Sequence, residues 1–199
     1  MLKSFLAFLF VSFAFQVQAA TQVSIEGDQT HNNTGLTTKS SGGIGGSLSQ
    51  DLGSYFRLGL KFRQEEDHEV GFMEERDPTD KTKKIYYKIN TTVKMSISSL
   101  NLFIILYNGE VFTPYIFAGV ARIQYDIHKE VDGYVSDDSF WIPSPTGGVG
   151  LAFRLSPKFS IKFTYSMRQG ILYSDPNDKL SAARTIDSTF EGGLQYSFN

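Results

Sequence analysis

Charged side chains that recur at every second position of otherwise apolar stretches are the first candidates for chemistry in this sequence. Glu26, Asp28, Asp126, Asp187 and Glu191 are the acids, and Arg57, Lys61, Lys94, Arg122, Arg154, Lys162 and Arg168 the bases. On an extended chain residues i and i+2 share a face, so these groups are expected to gather on the polar faces of strands. Two chemistries follow. The acids and bases neutralise one another as ion pairs, or, with bases in excess, they line a narrow path for ions or small solutes.

Three further groupings have chemical potential. The run Gln64-Glu65-Glu66-Asp67-His68-Glu69, continued by Glu74-Glu75-Arg76-Asp77, concentrates carboxylates, the oxygen ligands that hard cations prefer. It lacks the spacing of an EF-hand loop, and a solvated acidic surface is its simpler reading, so no metal and no cofactor are expected. Tyr134, Phe140, Trp141, Ile142 and Pro143 form an aromatic-rich segment, suited either to anchoring a binding partner or to a membrane-interface belt. The three histidines, His31, His68 and His128, have no serine two residues on. A serine without a positioned base is not a nucleophile, so no catalytic residue and no enzymatic activity are expected.

The elements that must position these groups are strands. From Thr185 to Phe198 the even positions read Ile, Ser, Phe, Gly, Leu, Tyr, Phe and the odd ones Thr, Asp, Thr, Glu, Gly, Gln, Ser. That is a strand with one apolar and one polar face. Val23 and Ile25 alternate with Ser24 and Glu26; Phe56, Leu58, Leu60 and Phe62 with Arg57, Lys61 and Arg63; Phe159, Ile161, Phe163, Tyr165 and Met167 with Ser160, Lys162, Thr164 and Arg168. A glycine-rich stretch over 37–50 is patterned weakly, with Ile44 and Leu48 its apolar candidates. The same reading turns Ile85 to Ile97 outward at odd positions, then Tyr115, Phe117, Ala121, Ile123, Tyr125 and Ile127, and then Val149, Leu151, Phe153 and Leu155. Eight strands result.

Around Ser98-Ser99-Leu100-Asn101-Leu102 the apolar parity changes from odd to even, and Phe103 to Leu106 is continuously apolar. Either a β-bulge shifts the register by one residue there, or the strand ends and the run forms a partly buried turn. Connections near 51–54, 108–109 and 156–158 are short, whereas those at about 29–36, 64–84, 128–146 and 170–184 are long and polar. Short turns at one end and long loops at the other are the pattern of a membrane-spanning barrel.

The N-terminus supplies an address. Lys3, the apolar stretch Phe5 to Phe15 and Val17-Gln18-Ala19 have the layout of a secretory signal peptide. Residues 1–19 are expected to be removed, leaving 20–199 as one barrel domain. Absence of cysteine excludes a disulfide framework. A mean hydropathy of -0.19 does not argue against membrane insertion, because alternating lipid-facing and lumen-facing residues average out. A net charge of -2 excludes the basic footprint of a nucleic-acid binder.

The segments Ser99-Leu100-Asn101-Leu102, Thr113-Pro114-Tyr115-Ile116-Phe117-Ala118-Gly119-Val120 and Gly147-Gly148-Val149-Gly150-Leu151 resemble the eight-stranded outer-membrane β-barrel family that includes the OmpA transmembrane domain and the opacity-type surface proteins. That resemblance implies an all-β, eight-stranded antiparallel up-and-down barrel in the outer membrane of a Gram-negative-type bacterium. It implies contact with outer-membrane lipids and lipopolysaccharide, and a structural or adhesin-like role. The ending, with Glu191, Gly193, Tyr196 and Phe198, is similar to the C-terminal signal read by the barrel assembly machinery. A monomer is expected whose lumen is plugged by Glu26, Arg57, Lys94, Arg122, Arg154, Lys162, Asp187 and Glu191, with long loops free for an extracellular partner.

Overall fold

The computed structural model describes residues 21–33, 37–76, 83–172 and 183–198. Residues 1–19, expected to be a signal peptide, Asn199 and the remainder of the chain lie outside them. Eight strands follow in order: β1 (Thr21–Asn33), β2 (Thr37–Asp51), β3 (Phe56–Arg76), β4 (Lys84–Ile105), β5 (Phe112–Val131), β6 (Tyr134–Arg154), β7 (Phe159–Leu172) and β8 (Ala183–Phe198). Each pairs antiparallel with its chain neighbours, and β8 returns to β1 from Thr21↔Phe198 to Gly27↔Gly192, closing the barrel. Closure matters because an open sheet edge within hydrocarbon would leave backbone groups unsatisfied.

Side-chain exposure defines a belt. Val23 and Ile25, Ile44 and Leu48, Phe56, Leu60 and Phe62, Leu100, Leu102 and Ile104, Ile116 and Val120, Val149 and Phe153, Phe163 and Tyr165, and Phe190 and Leu194 all face outward. Taken around the ring these outward residues form one continuous apolar band, of the kind that faces lipid in a strand-built span. The ends connected by the short turns Leu52–Tyr55, Leu106–Val111 and Leu155–Lys158 form the periplasmic rim, as such turns do in these barrels. On the opposite side β3, β4, β5 and β6, of 21, 22, 20 and 21 residues, continue far beyond the belt.

Three readings of the sequence are corrected here. First, β4 and β5 face the other way: Met95, Ile97, Tyr115, Ala121, Ile123 and Tyr125 are buried, and Ile123 is fully enclosed. Phe117 also turns inward and packs against Phe103, ring centroids 5.4 Å apart. Lys94, Arg122 and Asp126 consequently point out of the barrel, not into the lumen, and all three are exposed. Second, no bulge interrupts β4. Its register with β3 and β5 advances one residue at a time through Ser98↔Phe62 and Ser98↔Arg122.

The physical cause is depth. Above Leu100 the outward face leaves lipid and carries Ser98, Ser96 and Lys94, while the inward face carries Ile97, Met95 and Val93 and must be apolar to pack. Below Asn101 both faces are apolar, because Leu102 and Ile104 meet lipid while Phe103 and Ile105 turn inward, Phe103 packing on Tyr115 and Phe117. A period of two reports that two faces differ, not which of them faces lipid.

Third, two expected loops are strands. Gln64–Arg76 extends β3, and residues 128–146 form the end of a β5–β6 hairpin turning at Asp132-Gly133. Both turn residues have positive φ, 46° and 85°, the requirement of a type I′ turn, for which Asp-Gly is a favoured pair.

Candidate functional site

The lumen is divided lengthwise by chemistry. β1, β2, β3, β7 and β8 supply polar and charged side chains, and β4, β5 and β6 supply apolar and aromatic ones. The charged half depends on glycine at Gly43: an added Cβ there would stand 2.5 Å from Arg63 Nη2 and 2.8 Å from Glu65 Cγ. The glycine content of β2, which weakens its pattern in the sequence, thus makes room for the long side chains of β3.

Four charges meet at mid-barrel. Glu26, 2% exposed, accepts from Lys162 Nζ at 2.6 Å, Lys61 Nζ at 2.9 Å and Ser24 Oγ at 2.7 Å. Lys61 also pairs with Glu191, whose other carboxylate oxygen accepts from Ser166 Oγ at 3.3 Å. Lys162 reaches across the lumen toward the aromatic half, 5.5 Å from the Phe103 ring centroid and 5.6 Å from that of Tyr115, within the range of cation–π attraction. The Tyr115 and Thr164 hydroxyls are hydrogen-bonded at 2.7 Å, joining β5 to β7 across the interior.

A second layer lies above. Arg63 pairs with Asp28 and, through Nε at 2.5 Å, with Glu65. Glu65 also receives a bidentate fork from Arg168, whose Nη1 donates at 2.8 Å, and Arg168 Nε lies 3.9 Å from Asp187. Paired, multiply bonded charges are the form in which ionised groups tolerate burial.

The residues singled out from the sequence therefore separate. Glu26, Lys162 and Glu191 come together in the mid-barrel layer, and Asp187 joins the upper one. Arg57 sits lower and pairs with Asp51 at 2.6 Å. Arg154 is also low, in the wall of a cavity of about 250 Å³ at the periplasmic mouth that Arg57, Gln22 and Gln195 share. Lys94 and Arg122 are not lumen residues; Arg122 lies over the Trp141 ring at 4.9 Å on the outer surface, at the upper edge of the belt. Lys61, Arg63 and Glu65 complete the network. The alternation of β3 exposed the first two, whereas Glu65 was hidden in a segment read as loop. In the terminal strand, Gly193 packs against Glu26, and the Tyr196 ring contacts Phe159 and Phe198 at 4.9 and 4.8 Å.

Above the upper layer opens a vestibule of about 940 Å³. On the outer face of the β5–β6 extension His128 Nδ1 lies 2.6 Å from Asp137, and Ser139 occupies the next outward position on β6. Ser139 Oγ donates to Asp126 at 2.6 Å, so the serine and the histidine are bonded to different acids. Among the described residues no three His, Cys, Asp or Glu side chains cluster to hold a metal ion.

Comparisons with known proteins agree with this geometry. Residues 4–198 match the model of the outer membrane protein beta-barrel domain. Among solved structures, the N-terminal β-barrel domain of Pseudomonas aeruginosa OprF is similar at 15% identity with a TM-score of 0.56, covering 91% of this chain and all of that one. Ail, the attachment invasion locus protein of Yersinia pestis, solved with the heparin analogue sucrose octasulfate, is similar at 15% identity and TM-score 0.53, covering 92% of this chain and 100% of that one. Neisserial surface protein A is similar at 8% identity and TM-score 0.53, covering 90% and 96%. No curated protein sequence matches the chain. With a family model spanning almost its whole length and a closed eight-stranded barrel girdled by apolar residues, the protein belongs to the outer-membrane β-barrel domain family and resides in the outer membrane.

Proposed function

We propose that this chain is a closed barrel whose work is done at the cell surface, as a non-enzymatic structural or adhesin-like protein. The observation that carries the reading is the extension of β3–β6 beyond the apolar belt. It presents Gln64, Glu66 and His68 from β3, Lys94 and Ser96 from β4, and Ser139 from β6 outward to solvent. Such a sheet has no use in crossing the membrane, and surface residues held on rigid strands are suited to contact. The ion-paired layers of Glu26, Lys61, Glu191 and Lys162, then Arg63, Glu65 and Arg168, serve as a plug, since an eight-stranded barrel is only wide enough for its own side chains to fill. Lipid and lipopolysaccharide contact is assigned to the belt and to Arg122 and Trp141 at its upper edge.

Ail is by its name an attachment invasion locus protein and was solved with a heparin analogue; at 15% identity the likeness is one of fold, and it does not carry that ligand to this chain. The test is adhesion of cells producing the full chain against cells producing a variant with the β5–β6 tip shortened, surface level held equal. Loss of adhesion with the tip supports the reading, and equal adhesion refutes it. A second reading, a narrow conduit, is favoured by the cavities at both mouths, and conductance in planar bilayers separates the two.

A further inference from the structure

The vestibule above the ion-paired floor has two walls of opposite chemistry. On one side Glu65, Asp67 and Glu69 follow one another on the inward face of β3, flanked by Asp28 and Asp187. On the other, Val93 and Met95 of β4 face Ile127 of β5 and Phe140 of β6, and Phe140 is stacked on Tyr125 at 5.2 Å. The volume, about 940 Å³, lies within the ~300–1,000 Å³ typical of small-molecule sites.

Most acids of the first wall are already engaged: Asp28 with Arg63, Glu65 with Arg63 and Arg168, and Glu69 with Lys39 at 2.8 Å. Asp67 differs. It is half-buried, lines the vestibule with Ser41 of β2, and forms no ion pair among the described residues. Its carboxylate therefore stands in a partly desolvated position, opposite an apolar surface, attracted by Arg168 without pairing with it and able to attract a further cation.

The vestibule is also bounded by a hairpin that no backbone ladder holds on either flank among the described residues. β6 and β7 pair only from Arg154↔Ser160 to Thr146↔Arg168, because Pro145 next in line has no N–H to donate; Ser144 Oγ instead donates to the Gln169 carbonyl at 2.8 Å. β1 and β8 separate above Gly27↔Gly192. From Gln169↔Ile186 to Leu172↔Ala183, β7 and β8 thus pair only with each other among the described residues. Such a hairpin can shift outward without breaking ladder bonds to its neighbours.

We propose that the vestibule is a binding site for a cationic amphipathic molecule, its charge on Asp67 and its apolar body against Val93, Ile127 and Phe140. Neither wall alone specifies this ligand: the acids alone would take any cation weakly, and the apolar wall alone would take any greasy group. Together they select a molecule carrying both, admitted from outside and stopped below by the Arg63–Glu65–Arg168 layer. The proposal concerns a small ligand held inside the barrel mouth, and it does not depend on the outer face of β3–β6 having a macromolecular partner.

The experiment uses the mature protein in phosphatidylcholine nanodiscs and the N-acetylated tripeptide amide Lys-Phe-Lys, titrated calorimetrically. The expected result is saturable binding beyond that of empty nanodiscs, at least tenfold tighter than for Lys-Gly-Lys and for Glu-Phe-Glu amides. Asp67→Asn, which breaks no ion pair, is expected to weaken Lys-Phe-Lys at least fivefold and to leave Glu-Phe-Glu no weaker. No binding, equal binding of the glycine peptide, equal binding of the acidic peptide, or an unchanged affinity in Asp67→Asn each overturns the proposal. The three-peptide comparison on the parent protein decides the matter even if the variant fails to fold.

Discussion

Individual side chains at the lumen differ from those at the belt in what they can tolerate. Glu26 accepts from two lysines and a serine while almost wholly buried, and removing one partner of such a group leaves uncompensated charge. Glu26→Gln is expected to lose ~3–5 kcal/mol in reversible urea unfolding, with much of the loss recovered when Lys162→Met is added. An additive double mutant would show that the two do not act as a pair. On the belt, arginine at Leu58 or Phe163 is expected to cost ~2–4 kcal/mol near the bilayer midplane, whereas Phe117, which faces inward, no longer belongs with them. Lys94→Ser, on the outer face above the belt, is expected to change stability by less than about 0.5 kcal/mol. A large loss there would contradict its outward placement.

Among the elements, β2, β8 and the β5–β6 hairpin are the most informative. β2 reads poorly as a strand because glycines occupy its inward face, yet those glycines admit Arg63; Gly43→Val is expected to expel that guanidinium and destabilise the upper layer, visible as a lower urea midpoint than that of Ser47→Val. In the hairpin, Gly133 at φ 85° holds the turn, and Gly133→Val is expected to cost ~1–3 kcal/mol for backbone strain, detectable as faster amide exchange confined to 126–139. Asp-Gly between Val131 and Tyr134 was a legible hairpin signal. Its neighbours hid it, since polar Glu130 and Asp137 on the outer face and Lys129 and Ser136 toward the vestibule resemble a loop when both faces of a strand stand in water. β8 is expected to direct assembly: Phe198→Asp should sharply lower outer-membrane levels, measured by fractionation, and unchanged levels would remove the terminal aromatic from that role.

The molecule as a whole is a barrel with a charged half-lumen, an apolar half-lumen and a tall sheet on one side. If the ion-paired layers close the axis, the parent protein is expected to show no steady conductance in planar bilayers, and Glu191→Gln is expected to raise it, because Lys61 would keep water beside its unmatched charge. Arg154→Ala is expected to change nothing, as Arg154 lies in the periplasmic mouth below the layers. Steady conductance in the parent, unaltered by Glu191→Gln, would favour the conduit.

Strand number, membrane placement and the closing strand were determined by the sequence alone. The outward positions within the belt were legible too on β1, β3, β6, β7 and β8, because there the apolar face is also the lipid face and a period of two carries the whole message; the upper halves of β3 and β6, expected as loops, were not. Tertiary structure alone decided the orientation of β4 and β5, where Ile97 and Ile123 pack inward while Ser98 and Arg122 face out. Hydrophobicity along a strand records that a residue avoids water; only the closed barrel settles whether it does so in lipid or against the opposite wall. The meeting of Glu26 with Lys61 and Lys162 was likewise hidden, since the partners are 35 and 136 residues apart and nothing local selects one inward charge over another until the ring closes.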